Sequence, residues 1–430
     1  MIKNKVLKNA SWLITCKIVQ SVLGLIISML TARYLGPANF GVINYAASIV
    51  AFATPLMQLG LNSILVQELV EKPEDEGKIL GTSICMSCLS AVFCMVGVTA
   101  FAFIANTTSS VTIMVCALYS LILICQALEL TQYWFQAKFL SKYYAITALV
   151  AYILVSSYKI VLLITNSSVY WFAISNAIDY LVIAIALKII YQKLGGQKFS
   201  FSFRTAIRLF AKSRYYIISG LMVTIFAQTD KVMINIMMGE ESTGYYSAAV
   251  ACANLSGFVF ASIIDSMRPS IYENAKVSAQ RFEKKLAQLY CIIIYLSLAQ
   301  CLFMTILAKP IIYVLYGSQF QTSISVLRLI VWYTTFSYLG SVRNIWILAE
   351  GKQSVLWKIN LTGALMNIIL NLIFIPINGI TGAALASLLT QIFTNIILGF
   401  IFKSIRKNNF IMLKGLNIRV LINRKVGDNE

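Results

Sequence analysis

Along this chain, apolar residues run in long stretches separated by short polar gaps. Twelve stretches are long enough to cross a bilayer: 10–33, 40–70, 79–104, 111–135, 144–164, 169–191, 214–238, 244–268, 286–308, 323–349, 354–376 and 380–403. A hydrocarbon core of roughly 30 Å takes about 20 apolar residues in helix. The pattern predicts an all-α polytopic membrane protein with 12 transmembrane helices.

The gaps alternate in charge. Starting from the tail with Lys3, Lys5 and Lys8, every second gap is basic, and these gaps with the stretch ends that flank them hold 28 of the 35 Lys and Arg residues. The gaps on the other side, with their flanking stretch ends, hold only Arg33 and Lys309. Cationic loops stay preferentially in the cytoplasm, which places both termini there. Five basic residues remain inside stretches: Lys17, Lys159, Lys231, Arg328 and Arg343.

The segment between the sixth and seventh stretches is the longest and most basic of the inner gaps. Its part from Phe201 to Lys212 alternates apolar and cationic positions at helical spacing, as an amphipathic surface helix does. This divides the chain into a six-helix bundle (1–195), a basic amphipathic linker (196–213), a second six-helix bundle (214–403) and a basic tail (404–430). A repeat supports the division. Leu35-Gly36, Gly41 and Ala46 are matched by Met238-Gly239, Gly244 and Ala249, at a constant offset of 203. Paired glycines at those places suit a tight turn and close helix approach. Six stretches per half make the repeat parallel, and such halves can rock about a central cleft.

Composition narrows the chemistry. The chain is 59% hydrophobic and 12% charged, with mean hydropathy +0.78. The formal charge of +19 reads as the positive-inside excess and attraction to anionic headgroups, not as a nucleic-acid signature. Histidine is absent, which removes His-based metal sites and acid–base relays. Nine cysteines all fall in predicted helices, and the lone Cys85/Cys88 pair reads as packing. No metal, cofactor or enzymatic step is expected: neither a nucleophile–base set nor a nucleotide-binding loop is visible. The first stretch is too long, and lacks the small-residue site, for a cleavable signal peptide.

Four sequence segments resemble one family. They are Thr31-Ala-Arg-Tyr-Leu-Gly-Pro-Ala-Asn-Phe-Gly41; Gln58-Leu-Gly-Leu-Asn-Ser-Ile-Leu-Val-Gln-Glu68; Thr229-Asp-Lys-Val-Met-Ile-Asn-Ile-Met-Met-Gly239 with Gly244-Tyr-Tyr-Ser-Ala-Ala249; and Gly351-Lys352 followed by Asn367, Asn371, Ile375-Pro376, Gly379 and Gly382-Ala-Ala384. In order and placement they look like the Wzx-type polysaccharide and O-antigen flippases, in the MOP exporter superfamily that also holds the MATE exporters and MurJ. Gln67 stands where the family often carries Arg. The resemblance implies two bundles around a central cavity in a bacterial cytoplasmic membrane. It also implies undecaprenyl-diphosphate-linked oligosaccharide as cargo and a polysaccharide polymerase as a candidate partner, besides membrane lipids.

An ionised group at the bilayer centre costs about 3 kcal/mol on insertion scales, so it must meet water, a counter-ion or cargo. Lys17 leads a small polar stripe of Ser21, Gly24, Ser28 and Thr31, and two readings stand: a cavity wall, or a lysine snorkelling to the inner headgroups. Thr224, Gln228, Lys231 and Asn235 form the matching stripe in the seventh helix. Adjacent Asp230 and Lys231 differ by about 100° around that helix, so one can face a cavity while the other meets a neighbour. Arg343 suits either a cavity or snorkelling to the inner headgroups, while Arg328 and Lys159 read as snorkelling. Asp179 and Asp265 are possible counter-ions or coupling carboxylates. Asn360, Gly363, Asn367 and Asn371 share a face, and their amides suit either sugar or helix–helix hydrogen bonds. Pro55 is a candidate hinge.

Two further readings stay open beside the flippase. A cation-coupled multidrug or metabolite exporter on the same scaffold calls for an acidic site. A membrane glycosyltransferase or polymerase calls for a large outer loop, whereas the longest here runs only from Lys309 to Thr322.

Overall fold

The computed structural model describes residues 2–107 and 109–422, with side chains from 16 to 421. The side chains of Lys3, Lys5 and Lys8, and Lys425 with the end of the tail, lie outside the described residues. Eighteen α-helices occur in chain order, joined by short 3-10 turns, and no strand occurs among the described residues. They are α1 (Ile2–Gln58), α2 (Leu65–Glu71), α3 (Glu76–Ala105), α4 (Ser110–Ser120), α5 (Ile122–Leu128), α6 (Gln132–Ala137), α7 (Ser141–Ile164), α8 (Val169–Lys193) and α9 (Phe203–Met238). After them come α10 (Glu240–Ala253), α11 (Gly257–Val277), α12 (Ala279–Ile306), α13 (Ala308–Leu315), α14 (Ser323–Ala349), α15 (Leu356–Ile392), α16 (Leu398–Ile401), α17 (Arg406–Lys414) and α18 (Arg419–Ile422).

Eight helical segments among the described residues are long and apolar enough to span a membrane, or nine if the bent pair α10–α11 counts as one. Twelve apolar stretches become fewer segments for two reasons. Helices α1 and α15 each carry two stretches, interrupted at Gly36 and Gly379 where the backbone leaves the helical region. Helix α14, which contains Arg328 and Arg343, is not among the eight. Large side chains such as Phe93, Phe103, Ile164 and Ile306 are 65% or more exposed. Burying each would be worth roughly 2 kcal/mol in water, so their exposure fits a chain solvated by lipid.

The repeat seen in the sequence has a conformational counterpart. Gly36 has φ 72° and ψ 173°, and Gly239 has φ 85° and ψ −179°. Only glycine enters that region without strain, so two separated turns use the same device.

Contacts divide the chain into two units, residues 1–228 and 229–430. The sequence reading put the division at the basic linker. In the structure the amphipathic segment and the seventh stretch form one continuous helix, α9, whose residues 203–228 belong to the first unit. There Ser213 Oγ donates to the Leu59 carbonyl at 2.7 Å, Gly220 lies against Pro55, and Ser48 Oγ donates to Gln228 Oε1 at 3.2 Å. The order of these contacts makes α9 antiparallel to residues 48–59. Glu68 of α2, 1% exposed, is held by ion pairs to Lys212 and, at 3.4 Å, to Arg208. The first unit has a core cluster at this end, built on Leu61, Leu65, Trp134, Phe135 and Tyr191.

The second unit has a core cluster around Phe260, Tyr290, Trp346 and Ile405. It reaches into the segment read from sequence as a tail. Helix α17 is docked: Asn408 and Asn409 are buried, and Tyr290 donates to Asn408 Oδ1 at 3.0 Å. Lys407 and Lys414 both pair with Glu283.

Gly60 tests the clamp between α9 and the end of α1. Its φ is +69°, and a Cβ there would collide with the Ser213 carbonyl. Strain of this kind costs about 1–3 kcal/mol. Gly60→Ala is expected to lower the detergent-solubilised melting temperature by several degrees. Gly97→Ala, where a Cβ meets nothing within 4 Å, is expected to leave it unchanged or slightly raised. Equal melting temperatures for the two variants would refute the clamp.

Candidate functional site

Asp230 organises the second unit. Its Oδ1 accepts hydrogen bonds from Asn367 Nδ2 at 2.9 Å and Asn371 Nδ2 at 2.7 Å. Its Oδ2 accepts from the Tyr246 hydroxyl at 2.6 Å and from the Ser387 hydroxyl. Asn371 also donates to Asn367 Oδ1 at 3.1 Å, one helical turn away. Tyr246 stands on α10, the two asparagines precede the Gly379 break of α15, and Ser387 follows it. Four donors satisfy both oxygens of the carboxylate in a place where an unpaired charge would be prohibitive. One carboxylate with amide and hydroxyl oxygens is also the donor chemistry that hard cations prefer. Two members of the amide stripe of α15, Asn367 and Asn371, thus spend amide N–H groups on a carboxylate of another helix.

The adjacent Lys231 does not join this cage. It makes no ion pair among the described residues, and Asp230 is the charge that acts on it. One turn further on, Asn235 is 4% exposed and neither polar atom of its side chain has a partner among the described residues. One turn before, Gln228 meets Ser48 in the first unit. In the first helix, Lys17 and Ser21 are exposed and Ser28 is half-buried. Ser21 Oγ donates back to the Lys17 carbonyl at 2.8 Å. A Cβ on Gly24 would sit 2.6 Å from the Tyr152 hydroxyl, so this part of the stripe packs on α7.

Arg343 is not offered to a ligand in this structure. It is 5% exposed, and its Nη1 donates to the Thr394 carbonyl at 2.7 Å. That carbonyl lies in a π-helical turn, Phe393–Ile397, whose wider winding frees backbone acceptors. Asn409 of α17 treats the same turn similarly, donating to the Ile396 carbonyl at 2.7 Å. Asp265 is likewise misplaced for a coupling role: it is an exposed residue paired with Arg268 at 2.8 Å on its own helix. Asp179 is better placed. Lys159 lies within its field and donates to Asn176 Oδ1 at 3.0 Å.

The model of the polysaccharide biosynthesis protein family matches residues 6–275. This chain belongs to that family. The uncharacterized membrane protein MJ1068 of Methanocaldococcus jannaschii is 25% identical over 236 residues, which are 51% of this chain and 46% of that protein. The match thus spans about half the length of that relative. Two solved structures share the fold. The lipid II flippase MurJ in an inward closed conformation is 17% identical with a TM-score of 0.75, over 96% of this chain and 93% of that one. An inward-facing multidrug resistance MATE family transporter of the MOP superfamily is 14% identical with a TM-score of 0.69, over 92% and 96%.

This polysaccharide biosynthesis family member carries buried carboxylates that reading the basic residues alone passed over. Glu129, 4% exposed, takes a hydrogen bond from Tyr144 and lies near Asp179, and its Oε1 has no partner among the described residues. Glu76 accepts from Trp134 Nε1 at 2.9 Å and pairs with Lys138 at 3.1 Å. The available signal for Glu129 was its isolation: it is the acidic residue of the fourth apolar stretch.

Removing Asp230 would take away the shared acceptor of two amides and two hydroxyls, a loss of about 3 kcal/mol or more. Asp230→Ala is expected to cut the folded yield sharply and lower the melting temperature by more than Lys231→Ala does. Thermal unfolding of both purified variants checks this, and a smaller effect from Asp230→Ala would contradict the cage.

Proposed function

We propose that this protein is a non-enzymatic flippase carrying undecaprenyl-diphosphate-linked oligosaccharide repeat units from the inner to the outer leaflet by alternating access. The units would feed surface polysaccharide of the O-antigen or capsule kind, with a polymerase as the recipient. The protein would sit in the bacterial cytoplasmic membrane with both termini inside. The single observation that carries this reading is the family match over residues 6–275.

Charge supplies the physical case. A lipid diphosphate brings negative charge and its sugars bring hydroxyls, and moving these through hydrocarbon unaided would cost tens of kcal/mol, on the order of an ion's Born energy. Cationic side chains on a hydrated path lower that cost through charge-assisted hydrogen bonds. Lys17 is exposed and Lys231 lies free of an ion partner among the described residues, so these two are the proposed headgroup contacts. An inside-negative potential adds about 2.3 kcal/mol per charge per 100 mV in the outward direction. A MATE-type exporter of organic cations is the second reading, favoured by the MATE-like fold. An anionic cargo suits Lys17 and Lys231 better than a cationic one does.

In a strain lacking its own polysaccharide flippase, the chain is expected to restore surface glycan. Lys17→Ala and Lys231→Ala should each reduce it at least threefold, and the double variant should abolish it at normal protein levels. Arg343→Ala should instead lower the amount of folded protein. Full surface glycan from the double variant would remove both lysines from the proposed path.

A further inference from the structure

A cavity of about 480 Å³ lies wholly within the first unit, between residues 51–63 and the part of α9 from Tyr216 to Thr224. The size is within the range of small-molecule sites. Its lining contains no Lys, Arg, Asp or Glu, although the chain as a whole carries 35 basic and 16 acidic residues. An anionic diphosphate would find no charge partner there, and an organic cation would find no counter-ion.

The lining suits a different ligand. Gln58, Asn62, Ser63 and Ser219 supply amides and hydroxyls, groups that both donate and accept. Apart from the contact between Ser63 and Asn62 at 3.4 Å, these groups have no bond to other protein atoms among the described residues. Tyr216, 49% exposed, adds an aromatic face with a polar tip. Hydroxyls spaced around a ring with an apolar C–H face need this combination. The walls are also held in advance. Pro55 lies against Gly220, where an added Cβ would come within 3.0 Å, and Ser213 is bonded to the Leu59 carbonyl. A site fixed before binding spares the ligand the ordering cost.

We infer that this cavity binds the uncharged sugar portion of the cargo, with Gln58, Asn62 and Ser219 hydrogen-bonding its hydroxyls and Tyr216 stacking on a ring. The inference rests on the flippase reading and divides the cargo's recognition: charge is met by lysines, sugar by neutral groups. Sugar preference is thereby assigned to this cavity rather than to Lys17 or Lys231.

The test uses the full chain, purified from its own host into native-lipid nanodiscs. The probe is the cell's polyprenyl-diphosphate lipid that co-purifies, measured by mass spectrometry as the ratio of sugar-bearing to bare lipid. The wild type should be enriched in sugar-bearing lipid over the host membrane. The Gln58→Ala/Asn62→Ala variant should lose about tenfold of that ratio, the effect of two ordinary neutral hydrogen bonds. Tyr216→Ala should lose a similar factor while Tyr216→Phe retains the ratio, which separates stacking from misfolding. An unchanged ratio in both alanine variants overturns the sugar assignment and leaves the flippase reading standing. Wild-type protein carrying no polyprenyl diphosphate overturns both.

Discussion

A single carboxylate fastens four helical segments of the second unit. Asp230 on α9 draws in Tyr246 from α10, Asn367 and Asn371 from one side of the Gly379 break, and Ser387 from the other. In lipid there is little hydrophobic drive between helices, since the surroundings are as apolar as the side chains. A charge that must be saturated then acts as a fixed point. It sets the rotation of each partner helix, because each donor must face the same atom pair. The break at Gly379 becomes tolerable because residues on both of its sides are tied to one acceptor.

The first unit reaches the same end by different means. Its end near α2 is sealed by the Glu68 pairs and by the Trp134–Glu76–Lys138 contact. There α9 lies along the end of α1 through small residues and a proline. One helix therefore takes part in both units: its early portion is bound by close packing, its later portion through Asp230. The neutral cavity lies along the packed portion, and Lys231 comes directly after the residue that anchors the later one.

Much of the fold was legible from spacing. Long apolar runs gave the helices, and the glycine pair 203 residues apart marked two turns with the same backbone conformation. The site was less legible. Asp230 and Lys231 were visible as expensive intramembrane charges, but which of them was engaged depends on partners 137 to 157 residues away. Arg343 looked available because its partner is a backbone carbonyl freed by a π turn, and no residue type announces such a turn. Asp265 stood out as an acidic residue of the eighth stretch, but its partner is Arg268 on the same helix, on an exposed face. The neutral cavity was invisible for a simpler reason: amides and hydroxyls cost too little in a sequence to stand out, and only their convergence gives them meaning.

The π turn at Phe393–Ile397 reaches beyond its own geometry. Such a turn winds an additional residue into the room of a regular one. Excising a residue there would restore regular winding without turning the downstream chain, and would withdraw the carbonyls that Arg343 and Asn409 now use. The irregularity therefore works as a pair of moorings, and a single-codon deletion at this place would be read out as the release of Arg343 and of α17.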